Sequence, residues 1–424
     1  MSRETSISLW DSTLEEGETK NSDLPVKPVD VAIIGAGYTG LSTALHAALK
    51  GLTAHVVEAQ HIGYGGSGRN VGLVNAAAWL PPDKVIKKLG STYGKRFLKQ
   101  FSDSPAFVYD LIEKYQIRCS LTKTGTIHVA QSPRGLKDLI LRHKKWQQLG
   151  EPVDLLNFNE TAQMTGTNAF LGGLHDHRAG TINPMSYCRG LARAAADSGA
   201  RITTGAQVTE LKRKDKLWNL ATSVGSLRAK AVVMGTNAYT DDLWPRLQKI
   251  FTTIYYMQVA TEPLGKEAAH ILPGRQGIWD TGKIMFSFRR DPCDRLIIGT
   301  MGRIIGSIDK GLVSRWAQKQ ISKYFPELND VALEEAWHGK IAMTRNHLPS
   351  IHQLGPQFWT VIGYNGRGIT TGTLFGSTMA NLLTGLDPNE LPLPVTQIKS
   401  VPFNNLTTRF YDMAFTVKQL YNSF

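Results

Sequence analysis

The chain has 424 residues, of which 42% are hydrophobic and 20% charged, so it reads as a globular protein of about two domains and not as a disordered or fibrous chain. Its formal charge of +13 comes from basic residues spread along the length, with only short clusters such as Arg142, His143, Lys144 and Lys145. No nucleic-acid-binding motif accompanies them, and no nucleic-acid partner is expected.

Cys119, Cys188 and Cys293 are odd in number, far apart and without a C-x-x-C pair. That argues against a disulfide framework and a zinc site, and fits a cytoplasmic location. The polar start, MSRETSISLWDSTLEEGETKNSD, has no basic stretch leading into an apolar one, so no signal peptide is expected. Residues 1–28 read as an extended arm, because Pro25 and Pro28 disfavour helix, and Trp10 should pack on the body of the protein. The apolar run VDVAIIG (29–35) reads as a buried parallel strand. A helix follows from Tyr38 to about Lys50, stopped by Gly51, and AHVVE (54–58) is the next strand. The uncharged run Val31–Leu49 has the hydropathy of a membrane helix, but its glycines and hydroxyls make strand, turn and helix the better reading. From Pro81 to Arg142 the pattern is helical and amphipathic around a strand at 124–130. Residues 184–198 are helical, and ARITTGAQVTELKR and LRAKAVVMGTNA follow with further strand. TTIYYMQVATEPL, KIMFSFRR and RLIIGTMGRI, within 249–305, alternate as antiparallel strands. A helix is expected over 312–324, a strand at FWTVIGY, and a helix over 369–384.

Gly35, Gly37 and Gly40 form G-x-G-x-x-G after a strand and before a helix, the context that a dinucleotide fingerprint requires. The helix N terminus offers free N–H groups and a positive dipole end to a pyrophosphate. Glu58 ends the second strand, where its carboxylate can bind both ribose hydroxyls and would repel a 2′-phosphate, so NADP is disfavoured. A second Gly/Ser-rich loop, HIGYGGSGRNVGL (61–73), suits a ligand that extends past its first ribose. Ser67 and Arg69 can hold phosphate oxygens there, and Gly66, Gly68 and Gly72 leave room for the backbone to approach. GYNGRGITTG (363–372) follows an apolar strand and opens a helix of small residues. Its N–H groups would stabilise the negative pyrimidine end of a reduced flavin. Together the three clusters point to FAD. The expected fold class is α/β: a Rossmann-like FAD-binding domain (1–84, 155–245 and 336–424) interleaved with a mixed antiparallel-sheet substrate domain (85–154 and 246–335).

On the stretches VAIIGAGYTGLSTALHAALKG, IGYGGSGRNVG, RLIIG, WHGKIAMTRNHLP, GYNGRGIT and VPF, the chain from about residue 29 resembles the D-amino-acid oxidase superfamily of FAD-dependent oxidoreductases. Within it, the resemblance runs most to the bacterial γ-glutamylputrescine oxidase branch. The resemblance implies that Gly35, Gly37, Thr39, Gly40 and Glu58, with Tyr38 and Ala59 beside them, contact the ADP half. It implies that Gly66, Ser67, Gly68, Arg69, Asn70, Val71, Gly72 and Leu73 meet pyrophosphate, ribityl chain and flavin. Val208 should meet the adenine, Thr236 and Asn237 should lie over the cofactor, and Gly366, Arg367, Gly368, Ile369 and Thr370 should face the pyrimidine. Val71 stands where relatives commonly have glycine. Ile341 stands at the position matching the arginine that clamps a substrate carboxylate in D-amino-acid and glycine oxidases, which argues against a simple α-amino acid. GKIAMTRNHLP lacks the cysteine that attaches flavin covalently in sarcosine oxidases, so non-covalent FAD is implied.

The expected reaction is oxidation of a C–N bond in a small amine by hydride transfer to flavin. Dioxygen, or a quinone or carrier protein, is the acceptor, and no second nucleotide fingerprint for NADPH is present. Oxidation of pipecolate, proline or sarcosine is the alternative. Tyr255, Tyr256 and Met257 on one strand, and Phe286 and Phe288 on another, are candidates for a cage over the flavin, Tyr256 first because its alternate neighbour Gln258 can share its face. Lys340, with Arg345, is a candidate for an acidic group on the substrate, and Lys283 for oxygen activation. The aromatic stretch RFYDMAFTVKQLY is a candidate for docking or membrane contact, which the resemblance does not require.

Overall fold

The computed structural model describes residues 8–76, 79–401, 404–421 and 423; Pro402 and Phe403 of the VPF stretch lie outside them, as do the first seven residues of the arm. Two large sheets carry the architecture. The first has the strand order Ser350–Gly355, Phe358–Ile362, Gly225–Met234, Val29–Ile34, Ala54–Val57, Arg201–Thr203. Its pairings are parallel except the outermost, between Ser350–Gly355 and Phe358–Ile362. Val29–Ile34 is central and covered on both sides, as a parallel strand with no polar face must be. Val31 and Ile33 belong to one apolar cluster, Ala32 and Ile34 to another. The helices Tyr38–Leu49, Pro184–Asp197 and Gly368–Leu383 pack into the first cluster, together with Pro82–Ser102, Ser104–Lys114 and Pro133–Gln147. Leu217–Thr222, a strand not read in the sequence, forms an antiparallel hairpin with Val208–Lys214 and pairs with Gly225–Met234.

The second sheet has the order Leu333–Met343, Thr252–Pro263, Arg295–Met301, Phe286–Arg290, Gly277–Asp280, Thr126–Ala130, Gly172–Asp176, Val153–Leu156. It is antiparallel except where Gly277–Asp280 runs parallel to Thr126–Ala130. The sheet draws strands from both sides of the boundaries read at 154/155 and 335/336. Leu333–Met343 joins it because its long register with Thr252–Pro263 aligns Ile341 with Ile254 and Gly339 with Tyr256. Side chains alternate strictly on Thr252–Pro263. Met257 and Val259 point into the apolar core under the helix Leu312–Tyr324, while Tyr256 and Gln258 face the first domain.

The N-terminal arm departs from the extended reading in one place. Leu9–Ser12 is a short helical turn, opened by Ser8 and Asp11 bonding each other's backbone. It seats Trp10, almost fully buried, between the two sheets. The indole packs edge-on against Trp337 (5.7 Å), and its N–H donates to the Asn70 carbonyl (2.8 Å).

Candidate functional site

One continuous cavity runs along the junction of the domains, from Glu58 and Val208 past Gly37 and Ser67 to Tyr364 and Ile341. Its first wall is backbone. Gly35 leaves the central strand at φ 101°, a conformation that glycine adopts without a Cβ penalty. A Cβ on Gly37 would stand 2.8 Å from Ser67 Oγ, and one on Gly40 only 1.9 Å from the Gly35 carbonyl oxygen. Gly40 therefore does not line the cavity; it lets the helix Tyr38–Leu49 approach the strand. Glu58 follows the second strand directly, and its carboxylate accepts from the Ala36 N–H (2.7 Å) and the Gln60 N–H (2.9 Å), which fixes it beside the fingerprint turn.

The loop Tyr64–Gly72 forms the middle wall, held by its own polar groups. Asn70 Nδ2 donates to the Gly66 and Ser67 carbonyls, and Asn70 Oδ1 accepts from the Gly72 N–H. Ser67 Oγ accepts from the Tyr38 N–H at the start of the fingerprint helix. Arg69 Nε donates to the Tyr64 carbonyl, and its guanidinium lies over that ring. Gly68 and Gly72 stay outside the lining because they are packing positions. A Cβ on Gly68 would meet Met185, and one on Gly72 would meet Arg289 Nη1 at 2.3 Å. Arg289 is fully buried, and Nη1 donates to the Val71, Gly72 and Ile182 carbonyls, so it anchors the loop from behind. Burial pushes its guanidinium down to about 10. Leu73 likewise turns away, pairing with Thr181.

At the far end, Tyr364, Asn365, Gly366 and Gly368 line the cavity. The helix Gly368–Leu383 starts there, and its leading N–H groups have no intrahelical acceptor. Tyr364 Oη and Thr39 Oγ1, 2.7 Å apart, tie the starts of the two helices together. Arg367, Ile369 and Thr370, read as pyrimidine contacts, do not line the cavity. The Arg367 guanidinium lies over Trp79 (5.3 Å) and Trp279 (4.8 Å), and Thr370 Oγ1 donates to the Asn75 carbonyl. Each side chain is drawn off by a partner on its other side. Trp79, which the sequence reading missed, takes the place beside the cavity, with Nε1 bonded to the Asn365 carbonyl.

The second sheet closes this end with Ile254, Tyr256, Met285, Met301, Ile341 and Met343. Tyr256 lies within this wall, with its hydroxyl 2.6 Å from Ser287 Oγ. Burial raises its phenol well above the usual range. Gly339, opposite Tyr256 in register, makes room for Arg69, and Gly299, opposite Gln258, makes room for the Tyr256 ring. Gln258 shares the face but lies beyond the cavity, where Nε2 donates to the Arg69 carbonyl (2.7 Å). Phe288 is on the opposite face, in the apolar core with Phe170, Tyr324 and Phe325, because Ser287 and not Phe288 has the inward parity. Lys283 is exposed in the turn before Met285 and does not line the cavity. Lys340 does line it, but its ammonium lies over the Tyr239 ring (5.5 Å), and Arg345 is exposed. Burial pushes the Tyr239 phenol up to about 12.

Gly35, Gly37, Tyr38, Thr39, Glu58, Ala59, Gly66, Ser67, Arg69, Asn70, Val71, Val208, Thr236, Asn237, Gly366 and Gly368 all line the one cavity. An extended dinucleotide fits that shape: a glycine-cleared backbone cradle, a carboxylate at one end and a helix N terminus at each of two bends. Leu243, Tyr239, the methionines, Ile254 and Trp79 line it as well, and single-residue signals for them are absent.

The chain matches the family model for the FAD-dependent oxidoreductases called DAO over residues 30–382. It is 29% identical over 396 residues to the γ-glutamylputrescine oxidoreductase of Escherichia coli strain K12, covering 91% of this chain and 92% of that one. It is also 29% identical over 384 residues to a probable oxidoreductase OrdL of Haemophilus influenzae, covering 87% and 88%. Among solved structures, glycine oxidase from Geobacillus kaustophilus superposes with a TM-score of 0.72 at 21% identity, covering 87% of this chain and 99% of that one.

Proposed function

Because the chain belongs to the DAO family of FAD-dependent oxidoreductases, we propose that it oxidises a C–N bond in a small amine of the γ-glutamylputrescine kind, with dioxygen as acceptor. The observation that carries this reading is the wall Ile254, Tyr256, Met285, Met301, Ile341 and Met343, with Ile341 where the resemblance to D-amino-acid and glycine oxidases implies a carboxylate-clamping arginine. Similarity to γ-glutamylputrescine oxidoreductase across nine-tenths of both chains supports it.

In this reading FAD sits along the cavity. Gly35 and Gly37 approach the pyrophosphate with the N–H groups of Tyr38 and Thr39. Glu58 takes the ribose hydroxyls, and Ala59 and Val208 flank the adenine. The N terminus of Gly368–Leu383 faces the pyrimidine end, where its dipole offsets negative charge. FAD held by these residues would supply the acceptor for a hydride from the amine's α-carbon, and dioxygen would take the two electrons with two protons as hydrogen peroxide.

The protein's own part is positioning and desolvation. The methionine and isoleucine side chains hold the substrate's carbon chain and exclude water, which favours the uncharged amine as hydride donor. Tyr256, held by Ser287 and protonated throughout the working range, is a wall and not a base. Loss of the amine's proton therefore falls to solvent, and the rate should rise with pH toward the substrate's own pKa. The imine product hydrolyses in water.

The test is anaerobic mixing of the purified flavoprotein with γ-glutamylputrescine, putrescine, sarcosine, pipecolate, proline and D-amino acids, followed at ~450 nm, where oxidised flavin absorbs. Bleaching by the amines ahead of the amino acids, with peroxide on admitting air, is the expected result. Faster bleaching by any amino acid overturns the substrate reading, and slow reoxidation by air overturns the acceptor.

A further inference from the structure

The C-terminal helix Asn404–Tyr421 has two faces. One packs on the second sheet: Phe415 and Gln419 are buried, and Gln419 Nε2 reaches Met257 Sδ (3.3 Å). The other carries Leu406, Phe410, Met413, Val417 and Leu420, which are 41 to 63% exposed, with Tyr421 at 76%. Their spacing alternates four and three residues, so they form one straight apolar stripe along the helix. Exposed apolar side chains scattered singly need no explanation, but a contiguous stripe of six does.

A basic row lies beside the stripe. The helix Leu312–Tyr324 packs against the C-terminal helix and exposes Arg315, Lys319 and Lys323 at successive turns. Lys319, Lys323 and Lys418 line a common groove with Leu420 and Tyr421. Neither helix has an acidic residue except Asp412, and that is paired with Arg303 (2.8 Å).

We infer that this face docks on an anionic phospholipid surface, with the stripe in the headgroup–acyl boundary and the lysines on the phosphates. Apolar side chains on one side and cations at their margin are the pattern of an interfacial helix. Charge argues against a second copy as occupant, since each chain brings +13 and the same basic rows to the contact. Size does too: a helix of 18 residues is about 27 Å long, and one stripe of that length falls short of the roughly 800 Å² per partner of a standard interface. No described helix is long and apolar enough to cross a membrane, so the contact is peripheral.

The test is flotation of the flavin-loaded protein with vesicles of phosphatidylcholine alone or mixed with phosphatidylglycerol. Preferential binding to the anionic vesicles, weakened by salt, is expected. Phe410→Ser with Val417→Ser, and separately Lys319→Glu with Lys323→Glu, should each reduce that binding roughly tenfold or more, with flavin content and anaerobic bleaching unchanged. The second pair lies on another helix and keeps the test open if the first disturbs packing. Equal binding to both vesicles, or unchanged binding by both variant pairs, overturns the inference. So does light scattering that finds a dimer which the stripe variant alone abolishes while vesicle binding persists.

Discussion

The two ends of the cavity are built by opposite means. At the fingerprint end the wall is backbone, and its shape depends on side chains being absent: a Cβ on Gly40 would lie 1.9 Å from a carbonyl oxygen, and one on Gly37 2.8 Å from Ser67 Oγ. At the other end the wall is six side chains from three strands and one turn, none constrained beyond being apolar and of suitable size. A backbone-built wall fixes one ligand shape and tolerates little change. A side-chain wall can be refilled at constant fold. That division agrees with a fold shared with a glycine oxidase at only 21% identity.

The sharpest way to break this contrast is Gly40→Ala. The new methyl collides with backbone that has nowhere to move, so the helix must leave the strand. We expect a loss of several kcal/mol, on the order of 3–5, and a protein purified without flavin. Flavin content and thermal unfolding would show it. A soluble, yellow Gly40→Ala protein would mean that the fingerprint end is as pliable as the other. Trp10→Ala comes next. It empties a nearly fully buried site and removes the donor to the Asn70 carbonyl. A cost of about 3 kcal/mol in denaturant unfolding is expected, with weaker flavin retention because Asn70 organises the loop.

How far each end was legible in the sequence follows from the same contrast. Gly35, Gly37, Glu58 and Ser67 announce themselves because a backbone constraint selects one residue type at one spacing. Gly40, Gly68 and Gly72 are selected as strictly, but for packing: the sequence shows that a Cβ is forbidden without showing what would collide with it. The substrate wall was mostly illegible. Met301 and Ile254 are ordinary strand residues, Met285 lies in the turn before a strand, and only the register with Leu333–Met343 brings Ile341 opposite Ile254. Tyr256 was found by parity along its own strand. Phe288 was misplaced for want of the same parity on the neighbouring one, where a single-residue shift exchanges the cavity for the core. Gly277–Asp280, four residues long, and Leu217–Thr222, a polar-mixed hairpin strand, carry no continuous apolar run of the kind that marks Val29–Ile34.

A third prediction concerns the second sheet, where a side-chain carboxylate is enclosed. Asp280 is pushed up to about 6 by burial, against the hydrogen bond it accepts from the Phe286 N–H and another from Gln131. Its folded pKa exceeds the ordinary 3.8, so between these values the folded state holds a proton that the unfolded state has released. Stability should therefore fall as pH rises from about 4 to about 6 and level off above. The drop is on the order of 3 kcal/mol. In Asp280→Asn that slope should vanish, while the other titrations remain. An unchanged slope would place the proton linkage elsewhere.

The smallest effect is expected at Tyr256, in the wall proposed to hold the substrate. Tyr256→Phe keeps the ring that lines the cavity and removes only the hydroxyl bonded to Ser287 at 2.6 Å. The stability cost should be about 1 kcal/mol, mostly for leaving Ser287 with a lost partner. If Tyr256 is a wall, the anaerobic rate of flavin bleaching should change by less than about tenfold, and its pH profile should keep its shape. A general acid or base would give a different result, a loss of roughly 10² to 10⁴ in rate and a missing limb in the profile. The phenol's environment decides between them beforehand. It is buried, burial raises its pKa, and its hydroxyl is bonded to the Ser287 hydroxyl two strands away. Such a group cannot take a proton from an amine in the working range, so the substrate end should owe its selectivity to shape and dryness, which survive the loss of one oxygen atom.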